Sequence, residues 1–370
     1  MSGEPILIFD LGSSHIRTGL ATQPLPDIII PSAFPTGQHN YPIDKPLPDD
    51  FDPSFAITDA EIDDKDRMTY LFASIYNHYF DENQPEPTNL KLAFACSPRS
   101  IECNLDIAQN AFELLGADAI IMKPPAVYSL TTFSIETCIC IDIGYDITNV
   151  IPIEHNMICT KGINWTFNAG SGLDLFASRY QLGIESITKW SQMEQARKIK
   201  EDHIQVSLNY SDSISKLTDD ATTLEFGLTC GELLFTPKLY EAGISKDGPA
   251  DSRISTLMEE PGLAKLISES IQQCDLHNRS DLYNHIIITG GTSRTKGLKD
   301  RLLNDLKKMR EGIGTVNIFT PDDPVNSAWM GAAVVCQCSP ENEQWLTKEE
   351  YDEDPNLAYS RFNQYGINPI

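Results

Sequence analysis

One pattern is written twice in this chain, and it constrains the fold more than any other feature. It is an apolar run ending in Asp-x-Gly, followed by a second apolar run. The first copy is Ile6-Leu7-Ile8-Phe9-Asp10-Leu11-Gly12-Ser13-Ser14-His15-Ile16-Arg17-Thr18-Gly19-Leu20; the second begins at Cys138-Ile139-Cys140-Ile141-Asp142-Ile143-Gly144-Tyr145-Asp146 and runs to Ile153. Short β-rich runs on either side of a glycine predict a buried strand, a tight turn and a returning strand. A lone Asp-x-Gly is ordinarily a hairpin turn and nothing more. Two copies with matching flanks point to a duplicated domain. A carboxylate at the end of a buried strand, beside a glycine-bearing turn, suits a phosphate–metal site. Turn amides donate to phosphate oxygens, and the carboxylate holds the hydration shell of Mg²⁺. Two such hairpins could grip one nucleotide from opposite sides.

With 370 residues and 41% hydrophobic content, the chain can bury a large core, read here as two domains or lobes. Its apolar runs are strand-length and its first residues lack a basic-then-apolar leader. The expectation is a non-secreted, cytoplasmic or nuclear protein with no membrane span. A net charge of −25 opposes direct binding to nucleic acid and leaves room for a basic protein partner. The acidic residues cluster at Asp49, Asp50 and Asp52, at Glu61, Asp63 and Asp64, and from Glu349 to Asp354, where a solvated face is the ordinary reading. Of the nine cysteines, Cys138 and Cys140 fall on a predicted strand, and Cys336 and Cys338 after a predicted helix. Neither pair has Cys-x-x-Cys spacing, so both read as reduced core thiols.

Strands and helices alternate along the rest of the chain, which predicts an α/β protein with mixed sheets. Pro31 to Pro53 reads as loop or a small appendage. Helices are expected over Arg67–Tyr79, Ser100–Leu115, Lys299–Arg310 and most of Arg253–Asn278, the last broken near its start by Pro261-Gly262, with strands over Lys91–Ala95, Ala119–Met122 and Val316–Phe319. Gly170-Ser171-Gly172 is expected to interrupt the pattern before a helix from Leu173 to Tyr180. Ile286-Ile287-Ile288-Thr289-Gly290-Gly291-Thr292 reads as a buried strand entering a Gly-Gly turn, and Ser327 to Ala333 opens a small-residue helix. Trp165 is read as a partly buried core residue.

Taken in order, the Asp10/Gly12 hairpin, the Asp142/Gly144 hairpin and the Gly290-Gly291-Thr292 turn resemble the superfamily of actin, sugar kinases and the heat-shock chaperone ATPase domain. Further segments narrow this to actin-related proteins: Asp281-Leu282-Tyr283, Gly231-Glu232-Leu233-Leu234-Phe235-Thr236-Pro237, Ser327-Ala328-Trp329-Met330-Gly331 and Trp345-Leu346-Thr347-Lys348-Glu349-Glu350-Tyr351-Asp352. The resemblance implies an actin fold of two duplicated RNase H-like lobes with a nucleotide cleft between them. The first lobe would span 1–132 plus 327–370, with a reduced appendage at 32–57. The second would span 133–326, with a reduced appendage at about 171–238. It implies ATP or ADP with Mg²⁺ as ligand. Asp10 and Asp142 would orient the ion through water, and the amides of Gly12, Ser13, Ser14, Gly144 and Tyr145 would cradle phosphates. Arg17 stands where conventional actins carry a phosphate-binding lysine. Lys200 and Glu201 match the pair that holds adenosine and ribose, and Gly290, Gly291 and Thr292 allow close backbone approach.

Departures from the actin pattern bear on activity. Pro125 falls where a glutamine would orient the attacking water, and proline has no side-chain amide to do so. Asn149 replaces a histidine near that water, Tyr145-Asp146 replaces Asp-Gly, and Val325 replaces a lysine beside the base. Together with the shortened appendages, these changes resemble a non-polymerising scaffold subunit with weak or no ATP hydrolysis. Two homes fit: a dynactin pointed-end-like cytoskeletal complex, or a nuclear chromatin remodeller whose ATPase offers a basic helix. A polymerising actin-like ATPase and a small-molecule kinase of the same superfamily stand as alternatives.

Overall fold

The computed structural model describes residues 4–80, 87–97, 103–133, 135–218, 220–243, 252–310, 314–338 and 345–363. Strands β1 (Ile6–Leu11), β2 (His15–Leu20) and β3 (Ile28–Pro31) open the chain. Two small hairpins follow: β4 (Ala33–Pro35) pairs with β5 (Pro53–Phe55), and β6 (Ile57–Thr58) with β7 (Glu61–Ile62). Strands β8 (Lys91–Ala95) and β9 (Ala119–Lys123) complete most of the first sheet. The second sheet is built from β10 (Cys138–Ile143), β11 (Thr148–Glu154), β12 (Met157–Ile158), β13 (Asn164–Thr166), β14 (Ile286–Thr289) and β15 (Ile318–Phe319). The chain then returns to the first sheet as β16 (Leu346–Thr347).

The sheet orders are β16-β9-β8-β1-β2-β3 and β12-β11-β10-β14-β15, with β13 attached to β11. The two repeat copies hold equivalent places. Strand β1 lies between antiparallel β2 and parallel β8, and β10 between antiparallel β11 and parallel β14. Both strands are buried because helices cover the sheet faces, which is why they read as continuous apolar runs. The chain is thus mixed α/β with two sheets.

Helix Pro125–Ser129 crosses between the sheets. Tyr128 packs in the core of the first sheet, whereas Ala126, Val127 and Leu130 pack against Cys138, Cys140 and Ile151 of the second. The return crossing leads into helix Ser327–Cys338, whose Trp329 is fully buried. At the crossing the Ser129 and Ser327 hydroxyls lie 3.0 Å apart, and Ser327 also hydrogen-bonds Thr289. A Cβ at Gly331 would overlap the Tyr128 carbonyl oxygen, so glycine is what brings the two crossing helices together. Gly331→Ala is expected to destabilise the protein by about 3 kcal/mol, read by denaturant unfolding, because overpacking here pushes on backbone rather than a movable side chain.

Three expectations are corrected by the fold. Gly170-Ser171-Gly172 does not precede its helix but forms the first turn of helix Gly170–Leu182. The small residues are needed there, since a Cβ at Gly172 would lie 2.7 Å from the Tyr240 hydroxyl. Cys336 lies within helix Ser327–Cys338 rather than after it. The break expected at Pro261-Gly262 is observed, parting helices Ser252–Glu259 and Leu263–Gln273, the second of which stops short of Asn278. Trp165 is 44% exposed because β13 is an outer strand beside β11. The expected helix from Ser100 is observed from Cys103, ending in a wider turn over Asn110–Leu114; residues 100–102 lie outside the described residues.

Candidate functional site

Each repeat delivers its aspartate to the end of a central strand. Asp10 sits opposite Arg17 on β2, and Asp142 opposite Asn149 on β11 and Thr289 on β14. The turns that follow share one tight geometry. A Cβ on Gly12 would stand 2.7 Å from the His15 carbonyl oxygen, and one on Gly144 would stand 2.9 Å from that of Ile147. Neither turn tolerates a side chain at its glycine, which explains Asp-x-Gly in both copies.

Other elements brace the second turn. The Gly170 and Ser171 amides, at the start of their helix, donate to the Gly144 and Tyr145 carbonyls at 3.2 and 2.6 Å. The Thr292 hydroxyl donates to the Gly144 carbonyl at 2.9 Å. Gly290 has φ +85°, and a Cβ there would strike the Asp142 carboxylate at 2.5 Å; a Cβ on Gly291 would meet nothing within 4 Å. The Gly-Gly turn therefore lets backbone press on Asp142 while leaving open space at Gly291. These contacts bring Asp142, Gly144, Tyr145, Gly290, Gly291 and Thr292 together.

The electrostatics join the two repeats. Burial raises the pKa of Asp10, against the pull of Arg17, whose guanidinium is 3.7 Å away. Burial, reinforced by the charge of Asp10, pushes Asp142 up to about 7. Neither carboxylate accepts a hydrogen bond from another described residue, so two acids face one another with one arginine to offset them. His15 lies beside Ser14, with its Nδ1 2.8 Å from the serine hydroxyl. Burial, then Arg197 and Arg17, lower it to about 4, so it is neutral at pH 7.

Arg197, on helix Trp190–His203, is the hub on the other side. Its guanidinium lies 5.1 Å from the Tyr145 ring and 5.9 Å from the Trp190 ring, and it pairs with Glu194 at 2.8 Å. Lys200, one turn further, is buried, with its ammonium 2.6 Å from Asp174 and 3.4 Å from the Gly170 carbonyl. It thereby ties the helix to the support of the second turn. Glu201 is exposed on the same helix. Arg197 and Lys200 have i,i+3 spacing, so their shared face was available from sequence. The involvement of Arg197 was nonetheless missed.

A clasp joins the segment before β5 to helix Trp190–His203. The Trp190 amide donates to the Phe51 carbonyl at 2.9 Å, and the two rings stack with centroids 5.6 Å apart. On either side the Ser191 hydroxyl meets Asp50 at 2.9 Å, and Lys189 meets Asp52 at 2.8 Å. Nearby, Asp146 accepts the Asp59 amide at 3.2 Å and lies 3.6 Å from Arg253. Asp59 belongs to the β6–β7 turn, whose positive φ values of 51° and 67° at Asp59 and Ala60 turn it sharply. Asp146 is therefore spent on a contact between the halves. No local pattern in the sequence announces the Phe51–Trp190 contact.

The donor set fits a phosphate group with a divalent cation. Two carboxylates without hydrogen-bond donors converge, and the buried Arg17 Nε and Arg197 Nη2 lack hydrogen-bond partners. Guanidinium N–H groups without partners, that of Arg17 beside Asp10, leave a place for an anion and a cation together.

Comparison with known proteins agrees with this geometry. The family model for actin matches residues 2–179 and 178–362. The chain is similar to the SWI/SNF and RSC complexes subunit arp42 of Schizosaccharomyces pombe, with 24% identity over 417 aligned residues, covering 94% of this chain and 96% of that protein. A family match over nearly the whole chain, on a pair of sheets each carrying its own Asp-x-Gly turn, means that this protein belongs to the actin family.

Proposed function

We propose that this protein is a nucleotide-holding, non-polymerising scaffold subunit of a nuclear chromatin-remodelling assembly. The observation that carries the reading is the clasp of Phe51 on Trp190 beside paired Asp-x-Gly turns: a cleft built to retain its ligand. The relative's membership of remodelling complexes supports the choice of assembly. In this reading Asp10 and Asp142 hold the waters of Mg²⁺, which neutralises charge on the phosphates of bound ATP or ADP. The amides of Gly12, Ser13, Ser14, Gly144 and Tyr145 receive phosphate oxygens, and Arg17 adds a fixed positive charge. Glu201 faces ribose, Gly290, Gly291 and Thr292 border the nucleotide, and Lys200 acts through Asp174 by positioning its helix.

Hydrolysis is slow or absent in this reading. Pro125, at the start of the crossing helix, offers no side-chain donor to orient water, and buried Asn149 has a side-chain oxygen with no partner. The short outer segments at 32–57 and about 171–238 remove filament contacts, and open growth needs both complementary ends. Single-turnover assays are expected to show ATP bound but not converted above the protein-free rate, and sedimentation to show no nucleotide-dependent pelleting.

The assembly is tested by affinity purification of the tagged protein from its own cells with quantitative mass spectrometry. Stoichiometric recovery of a remodelling ATPase bearing a basic helix is the expected result, in keeping with the net charge of −25. Recovery of dynactin or other cytoskeletal subunits instead would overturn the nuclear reading. Sugar-stimulated ATP turnover would overturn the scaffold reading itself.

A further inference from the structure

Glu154 and Cys159, close together across the β11–β12 hairpin, converge with Cys274, which lies far along the sequence. One ligand atom from each lies within 4.8 Å of the other two. Glu154 ends β11, and Cys159 follows β12 across a tight turn with positive φ at His155 and Asn156. Cys274 closes helix Leu263–Gln273. All three are held by backbone contacts. The Cys159 amide donates to the Pro152 carbonyl at 2.9 Å, and the Cys274 amide to the Ile271 carbonyl at 3.1 Å. The Ser270 hydroxyl bonds the Gly162 carbonyl at 2.5 Å, which docks the turn after Cys159 on the helix.

Glu154 is oriented as a ligating carboxylate is. Its Oε1 accepts both the Asp275 amide and the Asn278 side-chain amide at 3.0 Å, and neither of these donors reaches Oε2. Gly162 keeps the space beside sulfur clear, since a Cβ there would lie 2.9 Å from the Cys274 Sγ. Arg279 donates to the Cys274 carbonyl at 3.1 Å and places one positive charge at the edge. As a thiol, Cys274 donates to the Ser270 carbonyl at 3.5 Å, and the Cys159 thiol is hydrogen-bonded within the cluster. Burial raises the pKa of both thiols, and Glu154 raises each further.

We propose that Glu154, Cys159 and Cys274 form a Zn²⁺ site of two thiolates and one carboxylate, with water completing the tetrahedron. On binding, each thiol gives a proton to solvent. Two thiolates, a carboxylate and Zn²⁺ then sum to one negative charge, which Arg279 balances. Zn–S bonds of about 2.3 Å put tetrahedral ligand atoms roughly 3–4 Å apart, so the cluster needs only a small closure. The ion ties the β11–β12 hairpin to the end of helix Leu263–Gln273 and serves the fold, away from the paired Asp-x-Gly turns.

The test uses the full chain, stripped with chelator under a non-chelating reductant and titrated with Co²⁺ as a spectroscopic probe. One equivalent is expected to bind with a thiolate-to-cobalt charge-transfer band, and Zn²⁺ is expected to displace it. Cys159→Ser should remove most of that band, and Glu154→Gln should weaken binding about 10–100-fold. Zn²⁺ should also raise the melting temperature of the parent chain and not of Cys159→Ser. If Cys159→Ser does not fold, the half-buried Glu154→Gln carries the test, with circular dichroism checking its fold. Absence of the thiolate band, or a band and affinity unchanged in the folded variants, would overturn the site.

Discussion

Asp142→Asn is expected to weaken Mg²⁺·ATP binding by about 10–100-fold while stabilising the nucleotide-free protein. A hydrogen bond to a charged group is worth about 1.5–3 kcal/mol, and each 1.4 kcal/mol is about tenfold in affinity. The opposite effect on stability follows from proton binding. In the folded chain Asp142 releases its proton at about 7, because it is buried and faces Asp10, with Arg17 only partly compensating; its ordinary value is 3.8. Between these pH values the folded state holds the extra proton, so this group's contribution is lost as pH rises towards 7 and does not return above it. At about 1.4 kcal/mol per pH unit, the difference bounds the gain from removing the charge at roughly 4 kcal/mol. The variant should therefore melt higher than the parent at pH 8 and nearly with it at pH 4, in the absence of nucleotide and Mg²⁺. Calorimetric titration and thermal melts across pH check both halves. Unchanged nucleotide affinity in a folded Asp142→Asn would remove Asp142 from the binding site.

Opening the clasp gives the second large effect. Trp190→Ala removes the stack on Phe51 and one of the two rings beside the Arg197 guanidinium, leaving Tyr145. An aromatic pair contributes about 0.5–1.5 kcal/mol beyond its buried area, and the lost area contributes a similar amount. If the clasp must part before nucleotide leaves, a loss of about 1–3 kcal/mol speeds release by roughly 5–150-fold. Release of a fluorescent ATP analogue, chased with excess ATP in stopped flow, measures it. Lys189→Ala, which removes only the exposed pair with Asp52, is expected to change the rate less than about fivefold, since such pairs contribute up to about 1 kcal/mol. Equal effects from the two variants would show that the aromatic contact does not hold the cleft.

The legible parts of the molecule are those whose physics is local. Strands β1 and β10 are buried on both faces, and their continuous apolar runs mark them without reference to anything distant. Gly12 and Gly144 are required by carbonyls three residues away in their own turns, so motif and geometry coincide. Gly170-Ser171-Gly172 misled because glycine ordinarily weakens helices. Here smallness serves contact with Tyr240 and with the second turn, and those partners are remote in sequence. Trp165 misled in the opposite sense. A large aromatic ring suggests a core, but the layering of β13 leaves it outside.

The sequence by itself determined the α/β class, the duplication, the paired aspartates at strand ends and the membership of a family whose motifs run the length of the chain. Each of these rests on periodicity or on short-range sterics, which neighbouring residues encode together. Only the tertiary structure decided that Lys200 braces Asp174, that Asp146 grips the Asp59 turn, that Phe51 lies on Trp190 and that Glu154, Cys159 and Cys274 meet. These contacts bring together side chains from separate elements, and their energies depend on distances of a few ångströms set by how whole sheets and helices pack. Local spacing carries no record of that packing.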